Sequence, residues 1–101
     1  MSVFLQADDD NNQLRISVKG AFNFSVYNDF REKYSNDAYR HYDIIINLQD
    51  CTLIDSSALG MLLIMKKYFD KNDGEIIISN ANREVRNVLD IVHFEKKFTI
   101  K

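Results

Sequence analysis

Between residues 43 and 79 the chain reads DIIINLQD, then a stretch from Ser57 to about Phe69 that sets Ala58, Met61, Leu62, Met65 and Phe69 on one helical stripe, then EIIIS. The two β-branched runs are short, apolar and bounded by polar residues, which is strand patterning, and the stripe marks a helix with one core face. A lone helix between two strands implies a crossover, and a crossover sets those strands parallel in one sheet. This unit commits the chain to α/β architecture.

The flanking segments extend that unit. VFLQA and QLRISVKG lie on either side of the polar cluster DDDNN, and the second alternates Leu14, Ile16 and Val18 with Arg15, Ser17 and Lys19, so the pair reads as a hairpin. AFNFSVYNDFREKYSN carries Val26, Phe30, Tyr27 and Tyr34 at helical spacing, with Ser25 as the expected N-cap. NDG at 72–74 is expected to end the central helix through a glycine in the left-handed conformation. A third helix is expected from about Asn82 to Val92, with Val85, Val88, Leu89 and Val92 on one face, and KFTI closes the sheet. The predicted order is β-β-α-β-α-β-α-β, a mixed β-sheet with helices packed on it. With 101 residues and 46% hydrophobic content, one domain spanning 1–101 is expected, burying roughly 65% of its unfolded surface.

Several functions are disfavoured by composition. A formal net charge of -2 provides no basic patch for nucleic acid. No window approaches the ~18 apolar residues of a membrane span and no signal-length stretch opens the chain, so a cytoplasmic protein without membrane insertion is expected. Cys51 is the only cysteine and lies among apolar neighbours, as a buried thiol would. His41, His93, Cys51 and the acids show no metal-ligand spacing, DDDNN lacks the glycine and distal glutamate of a calcium loop, and the three glycines are isolated. No metal or cofactor is expected.

The remaining candidate is LIDSSALGMLL, residues 53–63, where two adjacent hydroxyls precede an apolar run. A nucleophilic serine needs a base within reach, yet neither His41 nor His93 is spaced as one, and IDSSA lacks the glycines of a nucleophile elbow. Ser56 or Ser57 can cap the helix, worth about 1 kcal/mol. Capping leaves Leu59, Leu63 and Ile64 unexplained, since a surface helix needs a single apolar stripe. Either neighbouring helices cover them or part of this helix docks another protein, with the serines at its edge.

INLQDCTLIDSSALGMLLIMKKYFDKNDGEIIISNANREVRNVLDIVHFEKKFTI, together with the earlier LRISVKGAFNF, resembles the STAS domain of bacterial anti-sigma factor antagonists. The centre of the resemblance is Asp50, CTLI, Asp55, Ser56, Ser57, Ala58, Leu59 and Gly60. Ala58 stands where the family often has glycine, and Asn23 where it often has an acid. The resemblance implies no catalytic activity and a partner switch. An anti-sigma factor with serine kinase activity phosphorylates Ser56, a serine phosphatase reverses this, and only the unphosphorylated form binds the anti-sigma factor. Asp55, Ser57, Ala58 and Asn23 would neighbour the switch, with Ser57 at the helix start, and Leu59, Gly60 and Leu63 would meet the partner. Sigma-factor activity, biofilm formation and motility are outputs the resemblance allows, and the free protein is expected to be a monomer. The same fold could serve as an accessory subunit of a transporter ATPase or as a stressosome-type scaffold. A small serine hydrolase is the remote alternative.

Overall fold

The computed structural model describes residues 2–69 and 74–101. Strand β1 (Ser2–Asp8) pairs antiparallel with β2 (Gln13–Phe22) in unbroken register from Ser2 opposite Lys19 to Asp8 opposite Gln13. The hairpin turn is solvated: Asp8 accepts the Asn11 amide and side chain at 3.3 and 2.8 Å, and Asn12 takes the left-handed conformation at φ 51°. Strand β3 (Asp43–Asn47) lies parallel between β2 and β5 (Ile76–Ser79), and the short β6 (Thr99–Ile100) is the far edge.

Alternation along the strands decides which face carries the helices. Leu14, Ile16, Val18, Ile44, Ile46 and Ile78 are buried, whereas Arg15 and Lys19 are exposed and Ser17, Ile45, Asn47 and Ile77 are half-buried. One face is the core and the other is partly open. Helices α1 (Tyr27–Tyr34), α2 (Ser56–Tyr68) and α3 (Arg83–Ile91) contribute Phe30, Tyr34, Met61, Leu62, Met65, Val85 and Leu89 to that core. Tyr34 of α1 meets Tyr68 and Phe69 edge-on or tilted, with ring centroids 5.4 and 5.8 Å apart, which ties α1 to the end of α2. Met65 and Phe69 are fully packed, as the stripe predicts.

The mixed sheet with packed helices is as expected, and several local readings are corrected. CTLI, which the predicted element order leaves without a strand, is strand β4 (Cys51–Ile54), which pairs parallel with the end of β2. This pairing is made possible at Gly20, which sits at φ 86° where the register shifts and β2 passes from β3 to β4. Ala21 and Phe22 consequently belong to β2, not to the first helix. A 3-10 turn over Phe24–Val26 precedes α1, and its cap is Asn23 rather than Ser25: an Asn side-chain oxygen reaches the amide two residues on, and here Asn23 Oδ1 accepts the Ser25 N–H at 2.9 Å.

The expected NDG cap lies largely outside the described residues. Helix α2 ends at Tyr68 with Phe69 as its C-cap. Gly74 instead permits close approach, because a Cβ there would collide with the carbonyl of Tyr42. At the end of α3, Val92 is 41% exposed rather than on the buried face. His93 turns left-handed at φ 58° and starts a 3-10 turn, so Phe94 and Phe98 fill the core in its place.

Candidate functional site

The parallel pairing of β2 with β4 sets their ends side by side, Phe22 opposite Ile54, with the Asp55 amide donating to the Phe22 carbonyl at 3.4 Å. Asn23 and Asp55 therefore leave the same edge of the sheet as neighbours. Each makes the same kind of turn. Asn23 Oδ1 accepts the backbone and hydroxyl of Ser25, and Asp55 Oδ1 accepts the Ser57 hydroxyl at 2.6 Å and the Ala58 amide at 3.1 Å. Two short polar residues thus cap two helical segments that begin beside each other.

This geometry corrects the expected capping role of the serines. Asp55 is the N-cap of α2, Ser56 is its first helical residue and Ser57 its second. A carboxylate outcompetes a hydroxyl here because it accepts two bonds at once at the positive end of the helix. The Ser57 hydroxyl beside it, then the Ala58 amide, hold the Asp55 carboxyl below its ordinary value. Ser57 is half-buried and committed to Asp55. Ser56 is exposed, and its hydroxyl makes no hydrogen bond among the described residues.

On α2 the core positions Ala58, Met61, Leu62 and Met65 leave the opposite side to Ser56, Gly60, Leu63 and Lys67. Leu63 is 39% and Ile64 51% exposed, so neighbouring helices do not cover these two, whereas Leu59 is half-buried against the core. Two exposed apolar residues beside this edge were not singled out from sequence. Phe24 is 67% exposed, next to Asn23, and stacks on Tyr27 with centroids 5.2 Å apart, and Leu53 of β4 is 48% exposed. Phe24 is recognisable in GAFNFSVYNDF by falling off the Val26 and Phe30 stripe. Leu53 leaves no such mark, because the four-residue strand that presents it is too short to show a period.

The other candidates lie elsewhere. His41 precedes β3 at the opposite end of the sheet from Ser56, and His93 follows α3 beside Glu95, at 3.6 Å. Cys51 is buried at the start of β4, where burial pushes its thiol up, and it donates to the Leu53 carbonyl. Among the described residues no group of three His, Cys, Asp or Glu side chains could hold a metal, and no helix is long and apolar enough to cross a membrane.

Comparison with known proteins agrees with this architecture. The STAS domain profile matches residues 5–101. A STAS-domain containing protein of Pseudomonas aeruginosa (strain UCBPP-PA14) is 36% identical over 91 residues, 90% of each chain. The structure is similar to that of the anti-sigma factor antagonist SpoIIAA in its unphosphorylated form, with a TM-score of 0.75 at 20% identity over 99% of this chain and 87% of that one. It is similar also to an anti-sigma factor antagonist from Mycobacterium paratuberculosis, with a TM-score of 0.79 at 15% identity over 98% and 85%. The chain belongs to the STAS domain family.

Proposed function

We propose that this STAS domain is a partner-switching regulator of the anti-sigma factor antagonist type, without catalytic activity of its own. With Ser56 unmodified it binds an anti-sigma factor that has serine kinase activity. Phosphorylation of Ser56 by that partner releases it, and a serine phosphatase restores binding. The site of action is the cytoplasm, and the output is sigma-factor activity, biofilm formation or motility. The observation that carries this reading is the division of labour between the two serines. The Ser57 hydroxyl is bound to Asp55, while that of Ser56 points free at the head of an outward helix face bearing Leu63. Leu59, Gly60 and Leu63 form the partner surface, with Asp55, Ala58 and Asn23 shaping the turn around the acceptor.

Electrostatics accounts for a switch at the interface rather than in the fold. A phosphate at the first helical residue meets exposed amides and the positive end of the helix, so the domain tolerates it. A partner shaped around a neutral hydroxyl meets -1.5 to -2 new charges and their desolvation, and about 3 kcal/mol of lost binding is already more than a hundredfold in affinity. The test is phosphosite mapping on wild type, Ser56→Ala and Ser57→Ala recovered from native cells. Phosphate is expected on wild type and Ser57→Ala and absent from Ser56→Ala. Phosphate retained on Ser56→Ala and lost from Ser57→Ala would reverse the assignment, and none on any form would end the switch reading.

A further inference from the structure

Gly60 occupies the interior of α2 with ordinary helical backbone, and a Cβ built on it meets no atom within 4 Å beyond its chain neighbours and the backbone of its own helix. Folds keep glycine for a positive φ or for close internal approach, and neither operates here. A glycine inside a helix instead lowers the folding equilibrium constant roughly two- to fivefold relative to alanine. The free domain gains nothing from it. Gly60 follows Ser56 by four residues, about 6 Å along the axis and roughly 40° around it, and is followed on the same side by Leu63 and Lys67. A protein that covers Ser56 with an interface of ordinary size, about 800 Å² per partner, must also cover Gly60.

We infer that Gly60 is a notch for the partner, the place where a foreign chain lies against the α2 backbone closer than a methyl group would allow. This rests on the reading of Ser56 as the acceptor covered by that partner. The occupant is the anti-sigma partner of the proposed switch, with an apolar side chain seated over Gly60 between Ser56 and Leu63. Its chemistry follows from what surrounds the notch: exposed Leu63 and Ile64 call for an apolar face, and the exposed Lys67 one turn further calls for an acidic group. The glycine is then a residue specified by recognition at the expense of the isolated fold.

Gly60→Ala separates these demands. In urea denaturation of the purified protein the variant is expected to be more stable, by the two- to fivefold in folding equilibrium constant given above. In native cells a photo-reactive p-benzoylphenylalanine in place of Ile64 is expected to yield an adduct with a different protein, and adding Gly60→Ala should cut its yield about tenfold, as overpacking of a close contact does. An undiminished adduct overturns the inference, as does a Gly60→Ala protein less stable than wild type, which would mean that the fold itself requires the glycine. An adduct with the mass of two copies replaces the partner with self-association, and no adduct at all leaves the notch without an occupant and ends the idea. Mapping Ser56 in the same cells keeps the two readings apart. A Gly60-sensitive adduct in cells where no copy of the protein, crosslinked or free, ever carries phosphate on Ser56 sustains the notch and ends the phosphorylation switch.

Discussion

Asp55 binds the hydroxyl of Ser57 and not that of Ser56, at 2.6 Å from its Oδ1, and the same oxygen takes the Ala58 amide at 3.1 Å. One carboxylate thereby sorts two chemically identical neighbours into a structural residue and an available one. Stability should follow this sorting. Asp55→Ala removes both bonds and is expected to cost about 1 kcal/mol, within the range for N-caps. Ser57→Ala removes one hydrogen bond to a charged group and is expected to cost somewhat less, while Ser56→Ala stays within about 0.5 kcal/mol of wild type. Urea denaturation of the three variants checks the order. A Ser56→Ala loss equal to that of Asp55→Ala would contradict it.

The same contact predicts a pH dependence. Hydrogen bonding lowers the Asp55 pKa below its ordinary 3.8, so the folded state binds its proton more weakly than the unfolded state does. The contribution is accordingly complete above about pH 3.8 and disappears as the pH falls through the lower folded value. Asp55→Asn keeps an acceptor for the cap but has no proton to gain. The stability difference between wild type and Asp55→Asn should therefore be constant from pH 7 to pH 5 and shift against wild type below pH 4. A difference that does not change on acidification would show that the carboxylate is not held by these bonds.

Adjacent residues of α2 should respond in opposite ways. Leu62 is fully buried, and Leu62→Ala is expected to cost 2–5 kcal/mol through lost contacts and the cavity left behind. Leu63 is 39% exposed, and Leu63→Asp should change stability by no more than about 1 kcal/mol while abolishing the Ile64 photo-adduct. Thermal unfolding and crosslinking on the same two variants test this. A Leu63→Asp protein that unfolds as readily as Leu62→Ala would show that residue 63 supports the core rather than a partner.

The parts of this architecture that sequence made legible are those where one periodicity operates over many residues. The alternation through Leu14, Ile16 and Val18 and the stripe through Met61, Leu62 and Met65 each repeat a burial demand, so chance cannot imitate them. What escaped was decided by single contacts. Strand β4 is four residues long and exists because Gly20 bends β2 into a second pairing, a tertiary event with no local period. The cap of α2 was assigned to a serine because serine and aspartate both favour that position, and only geometry shows the carboxylate reaching Ala58. Val92 kept the helical spacing of α3 but fell after its end, where His93 redirects the chain. The motif Asp55, Ser56, Ser57 stands out in the sequence as a candidate, and Phe24 by its offset from the α1 stripe, whereas Leu53 needs the fold to bring β2 and β4 to one edge.

Gly74 supplies the counterpart to Gly60. It leads into β5 where the Glu75 amide donates to the Asp43 side chain at 2.8 Å and the Ile44 amide donates to the Glu75 carbonyl at 2.8 Å, so the starts of β3 and β5 are clamped together. A methyl group on Gly74 would meet the Tyr42 carbonyl and the carbon that bears it, backbone atoms that cannot swing aside as a side-chain end could. Relief would require shifting the chain and stretching one of those bonds, and overpacking of this kind costs about 1–3 kcal/mol. Gly74→Ala is thus expected to lower the urea midpoint without touching the Ile64 photo-adduct in cells grown cool enough to keep the protein folded, the reverse of Gly60→Ala on both counts. If Gly74→Ala proves as stable as wild type, the close approach at Tyr42 does not constrain the fold, and the glycine there has no structural reason.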